Sequence, residues 1–277
     1  MIRICKDNGR RVGLTTNGML LNEKTIRKII DLKLDILCVS LAGTTAATHN
    51  KIRQGTDFDL VMSNLERLSK IKHEMISPIP VLHMAYIMLK SNFHELKEFV
   101  PLAERLGVEQ ILANNLSLIV EPGLFAEALF NDTGRRDYYS EALEATKDAA
   151  KGKGIIFEYN SLDLNDNAPR CSENVCRSCV INVDGEVLPC IFVNPVLCMN
   201  QGLGDEKPAT YLFKNASYPL KGSSFGNINH DSLAHIWHNT PYARFRDLFK
   251  IGALMEPGQF LSDLPDRCRN CYKRLMT

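Results

Sequence analysis

Seven of the nine cysteines of this chain fall in its last 107 residues, at positions 171, 176, 179, 190, 198, 268 and 271. Thiols at that density either cross-link a chain through disulfides or hold a metal, and the redox compartment decides between the two. The first residues, Met1 to Gly9, contain no apolar run long enough for a signal peptide, and no later run reaches the length needed to span a bilayer. A cytoplasmic protein is therefore expected, and a reducing cytosol favours metal ligation. The other two cysteines, Cys5 and Cys38, stand 33 positions apart and read as small buried hydrophobes with no role.

Local pattern brings four of the thiols together. Val180-Ile181-Asn182-Val183, Asp184-Gly185 and Glu186-Val187-Leu188 read as a β-hairpin, because Asp-Gly suits the positive φ angles of a tight primed turn. Folding that hairpin carries Cys171 and Cys190 toward one end, and Cys268-x2-Cys271 adds two more thiols. Four thiolates suit either a cubane [4Fe–4S] cluster or a tetrahedral zinc ion, and cysteine count leaves both open. Cys171-x4-Cys176-x2-Cys179 also reproduces the three-cysteine spacing of plant-type ferredoxins, so a [2Fe–2S] centre stands as a rival use of Cys171. Seven cysteines are one short of two all-cysteine sets. Further on, residues 194 to 224 read as irregular. A short helix follows, capped by Asp231 or Ser232, with Leu233, Ile236 and Trp237 facing inward. His230, His235 and His238 surround it, and a helix surface is their ordinary home.

Before about residue 160 the chain alternates apolar runs with amphipathic stretches. Strands are expected at Val12 to Thr16, Ile36 to Leu41, Val81 to Leu89, Val108 to Ala113 and Ile155 to Tyr159. Between them lie helices with Asn22 and Asp57 or Thr56 as caps. Another is opened by Ser91 or Asn92 and closed by Gly107, with Pro101 breaking or kinking it. Five strands joined by helical crossovers imply a parallel sheet, open or curved toward a barrel, with its site at the strand C-termini. The 33 basic and 32 acidic residues nearly cancel, which argues against nucleic acid and against a polybasic membrane patch. Small-molecule or protein partners remain.

Taken together, Cys171-x13-Gly185-x4-Cys190, Phe225-Gly226-Asn227-Ile228 with Leu233, Ile236 and Trp237, and Cys268-x2-Cys271 resemble the SPASM-type auxiliary-cluster domain of radical S-adenosylmethionine (SAM) enzymes. Upstream, Val12 to Gly18, Val39-Ser40-Leu41-Ala42-Gly43 and Thr48 to Arg53 are similar to consecutive barrel segments of that family. The resemblance implies an α/β chain, with a partial (β/α) barrel lacking its first strands over residues 1–160 and a small SPASM-type domain built on a β-hairpin over 161–277. It implies an auxiliary [4Fe–4S] cluster on Cys171, Cys190, Cys268 and Cys271, with Ser40 near the ribose and Arg53 near the carboxylate of SAM. Residue type alone would make Ser40 a hydroxyl ending a strand and Arg53 a solvated helix residue. The implied activity is that of an oxidoreductase of peptide- or cofactor-maturation type, acting on a small-molecule, peptide or protein substrate and fed by a reductant such as ferredoxin or flavodoxin. In the complete enzyme a reduced catalytic cluster cleaves SAM to a 5′-deoxyadenosyl radical.

Three departures from the family qualify these expectations. The Cys-x3-Cys-x2-Cys loop that would hold the catalytic cluster is missing, as is the glycine-glycine-glutamate segment after the second strand. Ala42 also stands where Ser-x-Asp-Gly would put an acid. A fragment inactive in SAM cleavage is expected. The alternatives are a non-catalytic iron–sulfur electron-transfer or binding module and a zinc-stabilised structural protein.

Overall fold

The computed structural model describes residues 1–166, 171–194 and 209–276. They fall into two units, Met1–Asn115 with Glu127–Asn160, and Leu116–Ala126 with Ser161–Thr277.

The first unit begins with helix α1 (Ile2–Asp7) and strand β1 (Gly13–Thr16), followed by α2 (Glu23–Asp31), β2 (Ile36–Leu41), α3 (Ala46–Ile52), α4 (Phe58–Glu74) and β3 (Val81–Ile87). Next come α5 (Phe99–Leu106) and β4 (Gln110–Asn114), then the short α6 (Pro122–Glu127), which belongs to the second unit in all but its last residue, and, back in the first unit, α7 (Arg136–Gly152) and β5 (Ile156–Tyr159). All five strands are parallel and lie in sequential order β1-β2-β3-β4-β5, with Gly13 beside Ile36, Cys38 beside His83 and Gln110 beside Ile156. The order has no reversal point, whereas doubly wound sheets reverse theirs.

Helix boundaries follow local chemistry. The Asn22 side chain accepts from the Thr25 N–H, Thr45 from Thr48 and Asp57 from Leu60, each satisfying an orphan donor of a first turn. Gly107 ends α5 in the left-handed conformation at φ +70°. Pro101 does not kink that helix. Residues Phe93–Glu98 wind as a 3-10 turn and the α-helix restarts at Phe99, which puts Pro101 in its first turn, where a missing N–H costs nothing.

Strict alternation in the central strands separates two faces. Leu37, Val39 and Leu41 of β2, Leu82, Met84 and Tyr86 of β3, and Ile111 and Ala113 of β4 are buried. The helices cover this face: Tyr86 packs on Phe99 of α5 at 4.2 Å between ring centroids, and Val39 and Val61 of α4 meet over Gly18. Fully burying each such side chain contributes roughly 1.5–3 kcal/mol. The alternate residues, among them Cys38, Ser40, His83 and Asn114, are only half-buried.

The second unit holds two antiparallel pairs, β6 (Val180–Ile181) with β7 (Val187–Leu188), and β8 (Thr210–Phe213) with β9 (Ala216–Pro219). Five helices end the chain: α8 (Leu233–His238), α9 (Thr240–Ile251), α10 (Pro257–Asp263), α11 (Asp266–Arg269) and α12 (Tyr272–Leu275). The second pair lies within a stretch whose sequence reads as irregular. Its turn places Lys214, rather than Asn215, at positive φ (+53°), and the Lys214 N–H donates to the Tyr272 hydroxyl at 2.6 Å. Ser232 caps α8 and Ile236 is its buried residue, whereas Leu233, expected on the inner face, is exposed. Val175, Val187, Ile236, Tyr242, Phe245, Phe249, Phe260 and Leu264 form the core.

Candidate metal centre

The cysteine-bearing end of the second unit is built around Gly185. Register pairs Val180 with Leu188 and Ile181 with Val187, which leaves residues 182–186 as the loop, longer than the two-residue turn that Asp-Gly suggests. Only Gly185 takes a positive φ (+84°); Asp184 does not, so the primed turn is replaced by a wider one. The Asn182 side chain fixes it by accepting from the N–H groups of Asp184 (3.0 Å) and Glu186 (2.9 Å). A Cβ at position 185 would stand 2.6 Å from Asn229 and 2.7 Å from Asn227, so the site demands glycine twice over. The segment Phe225–Ile228 then runs beside β7: Val187 N donates to Gly226 O (2.8 Å), Phe225 N to Val187 O (2.9 Å) and Ile228 N to Gly185 O (2.9 Å). Phe225 stacks on Tyr242 at 4.2 Å, tying that segment to α9.

Cys190 follows β7, Cys268 lies in α11 and Cys271 stands immediately before α12. Together with Cys171 these four line one pocket, whose other walls are apolar (Val175, Val193, Phe245, Phe249) or charged (Glu173, Arg267, Lys273, Arg274). Burial drives the thiols away from ionisation, and their mutual proximity adds to it. Cys171 is pushed up to about 12 and Cys190 to about 11, while Cys268 and Cys271 are also raised. Backbone N–H groups oppose this rise by donating to sulfur: Glu173 to Cys171, Phe192 and Val193 to Cys190, Lys273 and Arg274 to Cys271. Donors aimed at a sulfur from the residues just after it favour the thiolate, the form that binds metal. Among the described residues, no three His, Cys, Asp or Glu side chains draw together at the spacing of a single metal ion. The four thiols instead stand around the walls of a shared space.

The remaining cysteines lie elsewhere. Cys176 points its sulfur at the Arg246 carbonyl (3.5 Å), and Cys179 neighbours Tyr242 against the aromatic core; neither lines the pocket. The ferredoxin-like spacing therefore does not bring its three cysteines together there. Cys198 lies outside the described residues. His230, His235 and His238 are exposed.

In the first unit, Ser40 is the penultimate residue of β2, on the half-buried face, and Arg53 caps the C-terminal end of α3. Burial lowers the basicity of Arg53, and no wall of the cysteine pocket comes from either residue. Thr16 and Asn17 act as turn residues, accepting from Gly18 N and Met19 N. Buried polar residues shape the loop after β2, and of these sequence reasoning picks out only Asn92, as a helix opener. Buried Glu95 accepts from the Thr44 N–H and from the hydroxyls of Thr44, Thr45 and Thr48. Asn92, wholly buried, donates to Ala42 O (2.9 Å) and Ile87 O (2.8 Å) and accepts from Leu89 N (2.8 Å) and Tyr86 OH (2.7 Å). His49 accepts from Ala42 N at 3.3 Å. Gly43 is required here because a Cβ would meet Thr48 at 2.8 Å and Glu95 at 2.9 Å.

Residues 1–103 match the model of the radical SAM superfamily, and residues 171–272 match the SPASM model, an iron–sulfur cluster-binding domain. By these two matches the chain carries a segment similar to the radical SAM superfamily followed by one similar to the SPASM domain. Among its relatives is a tungsten-containing aldehyde ferredoxin oxidoreductase cofactor-modifying protein of Pyrococcus furiosus, 27% identical over 260 residues that make up 90% of this chain and 65% of the relative. Another is an uncharacterized protein of Methanocaldococcus jannaschii, 32% identical over 154 residues, covering 54% of this chain and 51% of the relative. The chain thus spans between half and two thirds of the length of these curated relatives. Crystal structures of Streptococcus suis SuiB share the fold. The SAM-bound form matches 89% of this chain and 52% of its own at TM-score 0.60 and 14% identity, and the form bound to precursor peptide SuiA matches 99% and 55% at 0.57 and 13%. The SPASM match covers all four pocket cysteines, and the radical SAM match covers Ser40 and Arg53. Among the described residues, no helix is long and apolar enough to cross a membrane.

Proposed function

We propose that this chain is the barrel-arc and auxiliary-cluster portion of a radical SAM/SPASM enzyme that matures a peptide or a protein cofactor. Residues 1–160 form the partial barrel and residues 161–277 the SPASM-type domain. Cys171, Cys190, Cys268 and Cys271 hold an auxiliary [4Fe–4S] cluster. The observation that carries this reading is the set of four thiols around one pocket, three of them receiving backbone N–H groups on sulfur. The match to an iron–sulfur cluster-binding domain over all four cysteines supports a multi-iron group over zinc. When bound, such a cluster supplies one-electron redox chemistry or a site for substrate. The protein's own contribution is to keep the sulfurs dry, to bias them toward thiolate and to fix their directions through the Gly185 loop and the turns after Cys171, Cys190 and Cys271.

The maturation assignment rests on the relatives, one of which modifies a cofactor while another has been crystallised with a precursor peptide. Ser40 and Arg53 are the candidate contacts for SAM, at the end of β2 and the end of α3, and a ferredoxin- or flavodoxin-type reductant is the candidate electron donor. Within these 277 residues only Cys5 and Cys38 precede Cys171, so no Cys-x3-Cys-x2-Cys loop is available to leave an iron open for the amino and carboxylate groups of SAM. The test is 5′-deoxyadenosine formation under dithionite, by the chain alone and with an added segment that carries such a loop. None is expected from the chain alone. Production by it would overturn the four-thiolate assignment and direct attention to Cys171, Cys176 and Cys179.

A further inference from the structure

One wall of the four-thiol pocket is a charge without a counter-ion. Arg267 precedes Cys268, is 9% exposed and lines the pocket. Its guanidinium lies over the Tyr211 ring at 3.7 Å and acts on that residue's hydroxyl through a side-chain hydrogen bond that opposes the effect of burial. Nε donates to Phe192 O at 3.4 Å and Nη1 to Asn270 O at 3.5 Å, both at the long limit of a hydrogen bond. Buried Nη2 has no partner, and among the described residues no carboxylate pairs with Arg267. Burying a cation this way is costly unless something negative compensates it. Arg267 acts electrostatically on the sulfurs of Cys268 and Cys271, favouring their thiolate forms. A second buried cation, Arg274, donates to Asp166 O at 2.7 Å and is drawn electrostatically to Cys271, Cys171 and Cys268.

A doubly positive [4Fe–4S] core with four thiolates carries a net double negative charge, and one added electron makes it triple. A fixed cation with a spare N–H is a fitting partner for such a group in a pocket whose other charges include Lys273, already paired with Glu173. We propose that Arg267 is a positioning residue for the cluster: its Nη2–H donates to a sulfur of the bound group, and its charge raises the group's reduction potential. The step it governs adds one electron from an external reductant to the cluster, with no proton moved and no bond broken. This inference rests on the four-thiolate reading above.

The experiment uses the full chain, reconstituted anaerobically, with iron and sulfide measured before anything else. A wild-type chain that takes up no iron sinks the four-thiolate reading itself, and this one with it. Potentiometric titration with dithionite, followed by visible absorbance and EPR, then compares wild type with Arg267→Met and Arg267→Lys. At the wild-type midpoint the ratio of reduced to oxidised cluster should fall about tenfold or more in Arg267→Met, a shift of about 59 mV for one electron, and less in Arg267→Lys, which keeps the charge. Full iron content with an unmoved midpoint in Arg267→Met overturns the proposal. Should that variant fail to fold, wild-type protein labelled with 15N-arginine decides. Arg274, whose backbone N–H donates to Cys271, contributes a nitrogen coupling of its own in every sample, so the reading is the difference: pulsed EPR of the reduced cluster should show a further 15N coupling in wild type that Arg267→Lys removes, and identical spectra for wild type and Arg267→Lys refute the role.

Discussion

Replacing Glu95 by alanine removes the acceptor that four donors share: the Thr44 N–H and the hydroxyls of Thr44 (3.1 Å), Thr45 (2.8 Å) and Thr48. The hydroxyls can turn elsewhere, but the backbone N–H is fixed and half-buried. Leaving it unsatisfied costs about 1–3 kcal/mol, and losing a charge-assisted bond adds about as much again. A destabilisation of about 3 kcal/mol is expected, centred on the loop that joins β2 to α3, between the Ser40–Leu41 end of the strand and the helix that carries His49. The chain's single tryptophan, Trp237, lies in the second unit, so its fluorescence does not report this loss. Hydrogen exchange of the β2–β3 amides does, and protection there should fall roughly a hundredfold. The pH dependence follows from the carboxylate. Burial pushes its pKa up, but the Thr48 hydroxyl, the Thr44 N–H and the other two hydroxyls together hold it below the ordinary value. A folded pKa below the unfolded one stabilises the native state above the unfolded value, about 4.3, and that contribution disappears as pH falls through the folded pKa. The gap between wild type and Glu95→Gln should therefore be full at pH 6 and shrink below about pH 4.3. Protection in Glu95→Ala within about threefold of wild type, or a pH-independent gap, would refute the reasoning.

Two further substitutions probe the metal centre. Cys190→Ser should lose most of its iron after anaerobic reconstitution, since a hydroxyl replaces a soft thiolate poorly, while Cys38→Ser, in β2 of the other unit, should retain it; full iron in the Cys190 variant would remove that residue from the ligand set. Gly185→Ala forces a Cβ into the left-handed region and against Asn227 and Asn229. It should lower the unfolding free energy read by Trp237 fluorescence, by about 2 kcal/mol or more, and reduce iron occupancy with it; unchanged stability would mean that the loop is not the scaffold described.

Much of this was legible because the deciding forces are local. Asn22, Asp57 and Gly107 announce helix ends through chemistry confined to one turn, and the apolar alternation of Ile36–Leu41 is the pleat itself. The five-strand parallel sheet followed from these. The turn at Asp184-Gly185 was misread because the dipeptide fits two turn classes, and only the Val180–Leu188 register, set by packing against Phe225–Ile228, selects the wider one. The β8–β9 pair was missed because its turn puts positive φ on Lys214, held by Tyr272 some 58 residues away, and no dipeptide rule contains that contact. Glu95 and Arg267 escape sequence reading, and Asn92 reads there only as a helix opener, for one shared reason. A lone polar residue reads as solvated surface, and its burial becomes visible only when its partners arrive from distant segments.

The central claim is that four cysteines hold an iron–sulfur cluster. Iron, acid-labile sulfide and zinc, determined together on the anaerobically purified and reconstituted chain, test it most directly. The account predicts about four irons and four sulfides per chain, with visible absorbance that fades on reduction and little zinc. Stoichiometric zinc without sulfide, in protein that keeps its fold, would contradict it.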